Sequence, residues 1–479
     1  MTLLLIALGC FAGGALGAVA STRDARRAST VGAVTAVAGS AAALALAVRV
    51  LATGKAAAFT AAWPVPSGAF VVGCDALSAF FLVPVSVLGA LGAIYGRAYL
   101  LAHERTKLLG PTWAAYDLLL ASLVLVPTAR HGLLFLVAWE LMTLSSYVLV
   151  VFEHELPETR RAGWVYLLSA HAGTACLIGL FALLETTTGS LVFGAGTGVF
   201  GARAQTVALS LALVGFGVKA GVVPLHVWLP EAHAAAPSHV SAVMSGVLVN
   251  MGVYGIVRTT LLVGPSPAWW GGLLVALGLT GALVAIALAT YQRDLKRALA
   301  YSTVENVGIV LLGLGLAFWG GATGHPVVAA LGAAGALLHL WNHSAMKGLL
   351  FLTAGCVVHA TGTRDMERLG GLLRRLPTLG ALFFVGAVAI AGLPPLNGFV
   401  GEWLLYRGLL DGGVGTSAGT ATLFMLTVGA LATVGALAAL CFLRAGTIVF
   451  LGTPRSSDAE RPHPPGGSMV GAAAALAAA

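Results

Sequence analysis

Apolar runs about twenty residues long recur along the whole chain, and the short connectors between them hold most of the charge. Twenty apolar residues in an α-helix cross the hydrocarbon core of a bilayer. The pattern predicts thirteen spans, near residues 2–20, 31–51, 75–95, 113–129, 132–152, 163–184, 206–229, 239–262, 271–291, 299–318, 326–358, 379–410 and 420–450. The runs at 326–358 and 379–410 exceed one straight crossing and are expected to tilt or kink. A fourteenth, alanine-rich run opens after Gly466 and the sequence stops inside it at Ala479, so the natural protein is expected to be longer.

Two runs are interrupted. The seventh contains Val223-Pro224-Leu225-His226, and the twelfth contains Gly392-Leu393-Pro394-Pro395-Leu396-Asn397-Gly398. Proline removes backbone hydrogen bonds, and unpaired backbone at membrane depth is tolerated only against protein or water, so each break predicts a hydrated cavity. Breaks five spans apart also suggest an inverted repeat, because an odd offset reverses direction across the membrane. The expected organisation is residues 1–112 with spans one to three, 113–262 as a first five-helix repeat, 263–451 as a second, inverted one, and 452–479 as a cytoplasmic connector leading into a further helix.

Composition agrees with this reading. Hydrophobic residues make up 58% of the 479, charged residues 9%, and the mean hydropathy is +0.93, which excludes a soluble globular domain. The fold class expected is an all-α polytopic membrane protein.

The net charge of +8 would raise nucleic acid as a partner in a soluble domain, but here the basic residues sort by connector. With thirteen spans, eighteen of the 26 Lys and Arg fall on one side. At most six, Arg49, Lys55, Arg130, Arg203, Arg258 and Arg407, fall on the other, while Lys219 and Lys347 lie within spans. Basic connectors stay cytoplasmic, so the N-terminus is expected outside, in a prokaryotic plasma or inner membrane. No small-residue cleavage site precedes the cluster Arg23–Arg27, so the first run reads as a retained helix rather than a signal peptide. The five cysteines are scattered with no CxxC spacing, and no Gly-rich nucleotide fingerprint is present. No redox centre is expected in this chain, and no metal.

Candidate chemistry lies in the ionisable residues inside or at the edge of spans: Asp75, Glu140, Lys219, Glu305, His339, His343, Lys347 and Glu402. A charge near the bilayer centre costs roughly 2.5–3.5 kcal/mol on insertion scales, so it persists only where a partner, water or a task compensates it. Lys219 precedes the first break, and Glu402 follows the second. Glu140, in the otherwise apolar WELMTLSSY, needs a partner, for which Lys219 is the most economical candidate; a static ion pair is the competing reading. Glu305 in the tenth span repeats the placement of Glu140 in the fifth. His339, His343 and Lys347 recur every four residues and so stack on one helix face. Such a stripe suits proton passage, since imidazole donates at one nitrogen while accepting at the other. Metal binding and simple core packing are the alternatives for the two histidines.

The segments WELMTLSSY, KAGVVPLHVWLPEAHAAAPSHVSAVMSG, AYSTVENVGIVLLG, NHSAMKGLLFL, MERLGGL and GLPPLNGFVGEWLLY are similar to those of the proton-translocating antiporter-like subunits. Respiratory complex I, multisubunit sodium/proton antiporters and group 4 membrane-bound hydrogenases share that family. The wording most resembles the branch of hydrogenase-4 component B and formate hydrogenlyase subunit 3, over about residues 75–450. The resemblance implies that Glu140 and Lys219 form a pair gating proton uptake, that His339, His343 and Lys347 belong to a polar central helix, and that Glu402 is the terminal exit group. Where many relatives carry a central lysine, this chain has Asn250, which leaves either another residue of the relay in its place or a non-pumping scaffold. The resemblance implies partner subunits holding iron–sulfur clusters and a nickel–iron centre or quinone. The alternative is a cation/proton antiporter subunit without redox partners.

Overall fold

The computed structural model describes residues 1–65, 68–194, 200–414 and 416–479. In chain order the elements begin with α1 (Thr2–Ala20), α2 (Ala25–Thr53), β1 (Ala57–Ala62), β2 (Ala69–Cys74), α3 (Ala76–Leu101), α4 (Leu109–Thr128), α5 (Gly132–Val150) and α6 (Pro157–Thr188). Next come α7 (Ala202–Ala220), α8 (Leu229–Ala235), α9 (Ser238–Val243), a π-helical turn (Met244–Leu248) and α10 (Val249–Leu262). The remainder comprises α11 (Ala268–Thr290), α12 (Leu295–Thr323), α13 (Pro326–Thr361), α14 (Leu372–Arg375), α15 (Pro377–Ile390), α16 (Asn397–Gly413), α17 (Ala418–Phe450), α18 (Ser457–Glu460) and α19 (Gly467–Ala477). The protein is a polytopic all-α membrane protein, with eleven helices among the described residues long and apolar enough to cross a bilayer.

The differences from the thirteen expected runs have local causes. The seventh and twelfth runs are each divided: α7 stops at Ala220 and α15 at Ile390, and the prolines Pro224, Pro394 and Pro395 lie in the non-helical stretches that follow. Span 326–358 is one unbroken helix of 36 residues, since no proline follows Pro326 inside it. Between α2 and α3 the chain forms an antiparallel hairpin, Ala57 opposite Cys74 through Ala62 opposite Ala69, that the helical pattern did not foretell.

The chain divides into two compact units. The first comprises Met1–Lys219, Ala235–Gly264 and Gly466–Ala472; the second comprises Ala220–Ala234, Pro265–Pro465 and Ala473–Ala479. In the first, α4 packs on α1, α2, α3 and α5, and α5 on α6. A Cβ at Gly173 of α6 would lie 2.9 Å from the carbonyl oxygen of Gly215 in α7, so these two backbones nearly touch one turn before Lys219. In the second, α11 and α12 approach in the same way: Cβ atoms at Gly278 and Gly271 would meet the carbonyl oxygens of Gly308 and Gly315 at 2.5 and 2.6 Å. Small residues are what let membrane helices come this close, where lipid supplies no hydrophobic drive between them.

Candidate functional site

In the first unit, Lys219 is buried in the last turn of α7. Its ammonium donates to Thr143 Oγ1 on α5 and to Tyr166 Oη on α6, both at 2.9 Å. The rings of Tyr166 and Trp139 lie 4.9 and 5.7 Å from Nζ. Tyr166 Oη is also 2.6 Å from Ser146 Oγ, so three hydroxyls and one ammonium form a continuous hydrogen-bonded cluster. The Gly173–Gly215 approach explains the placement. The chain before Gly173 and the chain beyond Gly215 lead to the same end of the α6–α7 pair, where Tyr166 and Lys219 meet.

Glu140 does not touch Lys219. Its carboxylate accepts from Thr174 Oγ1 at 2.5 Å and lies 3.5 Å from His171 Nε2, both on α6. Thr143 stands between the two groups: it lies one turn along α5 from Glu140, on the same helix face, and it accepts the hydrogen bond of the lysine. The Glu140 side chain is 27% exposed and that of His171 51%, so this carboxylate opens at the side of the unit.

The second unit holds the remaining candidates. His339, His343 and Lys347 all lie within α13 and are buried, as are Glu305 on α12 and Glu402 on α16. Lys347 Nζ donates to the carbonyl of Leu299 at 3.0 Å and to Ser302 Oγ. Asn306 links the next members. Its Nδ2 donates to the Ser302 carbonyl at 2.8 Å and to Glu305 Oε2 at 3.1 Å, and its Oδ1 lies 3.0 Å from His339 Nε2. His343 Nε2 is buried with no hydrogen-bond partner among the described residues. Glu402 sits beneath the second helix break: a Cβ at Gly392, whose φ is +64°, would fall 2.8 Å from Glu402 Oε1. Gly401 lets α16 approach α13, since a Cβ there would lie 2.9 Å from His339 Cβ. No direct ion pair joins Lys347 to Glu305 or Glu402 among the described residues.

Asn250 is buried on α10, in the first unit, and donates to the Gly246 carbonyl at 2.7 Å, across the π turn. Among the described residues no group of three His, Cys, Asp or Glu side chains gathers as a metal site.

Residues 129–431 match the family described as NADH:quinone oxidoreductase/Mrp antiporter, transmembrane. The chain belongs to that family. It is similar to hydrogenase-4 component B of Escherichia coli, 38% identical over 420 residues, a match covering 84% of this chain and 60% of that protein. It is 37% identical over 391 residues to formate hydrogenlyase subunit 3 of the same organism, covering 80% of this chain and 62% of that one. The chain thus spans about three fifths of the length of these curated relatives. A chain in the structure of the membrane-bound sulfane sulfur reductase, an archaeal respiratory membrane complex, shares the fold with a TM-score of 0.82 at 26% identity, over 99% of this chain and 74% of that one.

Several residues that contact the candidates in this member of the antiporter-like family escape a reading by hydropathy: Thr143, Tyr166, Ser146, Thr174 and His171 in the first unit, Ser302 and Asn306 in the second. Ser302 and Asn306 carry a usable signal, being one turn apart in the same helix as Glu305. Asp117 is a further intramembrane acid outside the expected set. It is buried in α4, with Thr35 Oγ1 at 3.4 Å.

Proposed function

We propose that this chain is a proton-translocating membrane subunit of a multisubunit energy-converting oxidoreductase, of the membrane-bound hydrogenase or complex I kind. The single observation that carries the reading is the Lys219 cluster. An ammonium inside an apolar bundle is held by two hydroxyls, and one of these lies a helical turn from a carboxylate that the lysine does not touch. Among the described residues such a lysine has no ion-pair partner. Any movement of charge near Glu140 alters how firmly Lys219 keeps its proton, because a unit charge a few ångströms away is felt strongly where water is scarce.

The partial exposure of Glu140 and His171 at the side of the first unit supports a neighbouring subunit as the source of that charge. Uptake then belongs to Glu140 and Lys219 in the first unit, and onward passage to Glu305, His339, His343 and Lys347 in the second, with Glu402 as the terminal group. Asn306 joins His339, Glu305 and the Lys347 neighbourhood into one hydrogen-bonded group, which supports His339 and Lys347 as the carriers in place of a lysine at Asn250. Electron transfer, iron–sulfur clusters and a nickel–iron centre or quinone belong to partner subunits. The membrane is a prokaryotic plasma membrane, with the N-terminus outside.

The complete complex in proteoliposomes tests this. Lys219→Ala should lower electron-driven proton uptake at least about tenfold while the complex still assembles. Undiminished pumping by an assembled Lys219→Ala complex would refute the relay. The family description also covers Mrp antiporters, and this favours one second reading, a cation/proton antiporter subunit. Sodium-driven proton exchange without any electron donor would establish it instead.

A further inference from the structure

The relay leaves one conspicuous feature of the first unit unused. α9, the π turn and α10 carry Ser241, Ser245, Asn250, Tyr254 and Arg258 at spacings of four, five, four and four. Steps of four hold a face on an α-helix, and the single step of five coincides with the turn that winds one residue wider. The five side chains therefore follow one polar stripe about 25 Å long. Ser241, Ser245, Asn250 and Tyr254 are all buried.

The stripe ends in charge. Arg258 Nη1 and Nη2 donate to Asp75 Oδ2 and Oδ1 at 2.7 and 2.8 Å, and its Nε donates to Tyr254 Oη at 3.0 Å. Arg130 Nη2 lies 3.3 Å from Asp75 Oδ1 and donates to Ser78 Oγ at 2.7 Å. Tyr254 Oη donates to the Pro127 carbonyl at 2.9 Å. Two guanidiniums thus meet one carboxylate, leaving the cluster with one net positive charge. The side chains of Arg258 and Arg130 are 13% and 14% exposed and that of Asp75 37%, so the positive groups are the inner ones. Both arginines belong to the sparsely basic set of connectors, which is the outward end in the orientation proposed above.

We propose that Asp75, Arg130 and Arg258 form an electrostatic stopper, which bars protons and hydrated monovalent cations from leaking along the eighth span. The inference rests on the proton-transport reading above. A polar stripe through an apolar bundle is a hazard in a machine that stores energy as an ion gradient, because any water it holds can conduct. A guanidinium keeps its charge at every physiological pH, and a fixed positive charge in a narrow polar passage raises the barrier to cations. The competing role is a mechanical clamp of α3, α4 and α10, which needs the ion pairs but not the surplus charge.

Net charge separates the two. Passive proton conductance is measured with a trapped pH-sensitive dye in proteoliposomes holding the complete complex, with no electron donor. Arg130→Gln and Arg258→Gln each cancel the surplus and should raise the leak about tenfold or more. Asp75→Asn breaks the same ion pairs yet adds positive charge, and should stay as tight as the parent. The double variant Asp75→Asn/Arg258→Gln has no ion pair but restores the net charge, so it should be tight as well. A clamp predicts the reverse order, with the double variant leakiest. Tight Arg130→Gln vesicles, or a leaky Asp75→Asn, overturn the stopper, and Arg130→Gln decides the matter alone if Arg258→Gln does not fold. Driven uptake in the same vesicles keeps the two ideas apart: an active Lys219→Ala complex removes the relay, whereas the leak series judges the stopper.

Discussion

At the scale of single residues, the two lysines buried by their helices show how an ammonium is kept in a membrane protein without a salt bridge. Lys219 rests on Thr143 and Tyr166, Lys347 on Ser302 and the Leu299 carbonyl. Hydroxyl and carbonyl oxygens solvate the charge but leave it mobile, since none of them holds a fixed negative charge. Thr143→Val removes one of the two oxygens that accept from Lys219 and should lower stability by about 1 kcal/mol, the usual size of an interhelical hydrogen bond in a bilayer. Equilibrium unfolding in mixed micelles checks it. Combining Thr143→Val with Tyr166→Phe should cost more than the sum of the singles, because only the pair strips the ammonium bare. The positions of these lysines could be read from sequence, since a charge in an apolar run stands out. Their partners could not, because a threonine at 143 looks like any other polar residue until α6 and α7 are known to meet at Gly173 and Gly215.

At the scale of elements, connectors as well as helices carry specific contacts. Between α5 and α6, Glu155 meets Lys107 of the α3–α4 connector in a close ion pair, and Lys107 also lies over the Phe152 ring at 5.4 Å. The hydrogen bond from Lys107 holds the Glu155 carboxyl below its usual range. A carboxyl depressed in the folded state binds its proton more readily when the contact is broken, so the tie is complete above the ordinary glutamate value of about 4.3 and is lost as pH falls further. Hydrogen exchange in residues 102–108 should therefore accelerate on acidification in the parent, after correction for intrinsic rates, but not in Lys107→Met. Helix existence was the legible part at this scale: α13 and α17 follow the apolar runs almost residue for residue. The hairpin β1–β2 was not, because its alanines and valines continue the apolar character of the flanking helices without a break in period. The π turn was equally hidden, for nothing in MSGVL distinguishes it from one more α-helical turn.

At the scale of the whole molecule, the question is what the chain travels with. Buried charges in each unit suit a transport path, but neither unit supplies a driving force, so the oxidoreductase reading requires companions. Purification in mild detergent should bring down iron–sulfur protein subunits, identified by mass spectrometry and by their visible absorption. Recovery with only other antiporter-type membrane subunits would favour the sodium-linked alternative. The broad architecture was legible here because hydropathy is a collective property of twenty residues at a time and survives errors at any one. The path was legible only as a set of expensive residues, since their order depends on packing that hydropathy does not encode.

The π turn has one more implication, for insertions and deletions. By folding an additional residue into the middle of the eighth span, it sets the angular phase between Ser241–Ser245 and Asn250–Tyr254–Arg258. Substitutions leave that phase alone, whereas losing a single residue there would turn everything beyond it by about 100° about the axis. Arg258 would then swing away from Asp75. The length of this short stretch is thus as much a part of its information as the identity of its side chains.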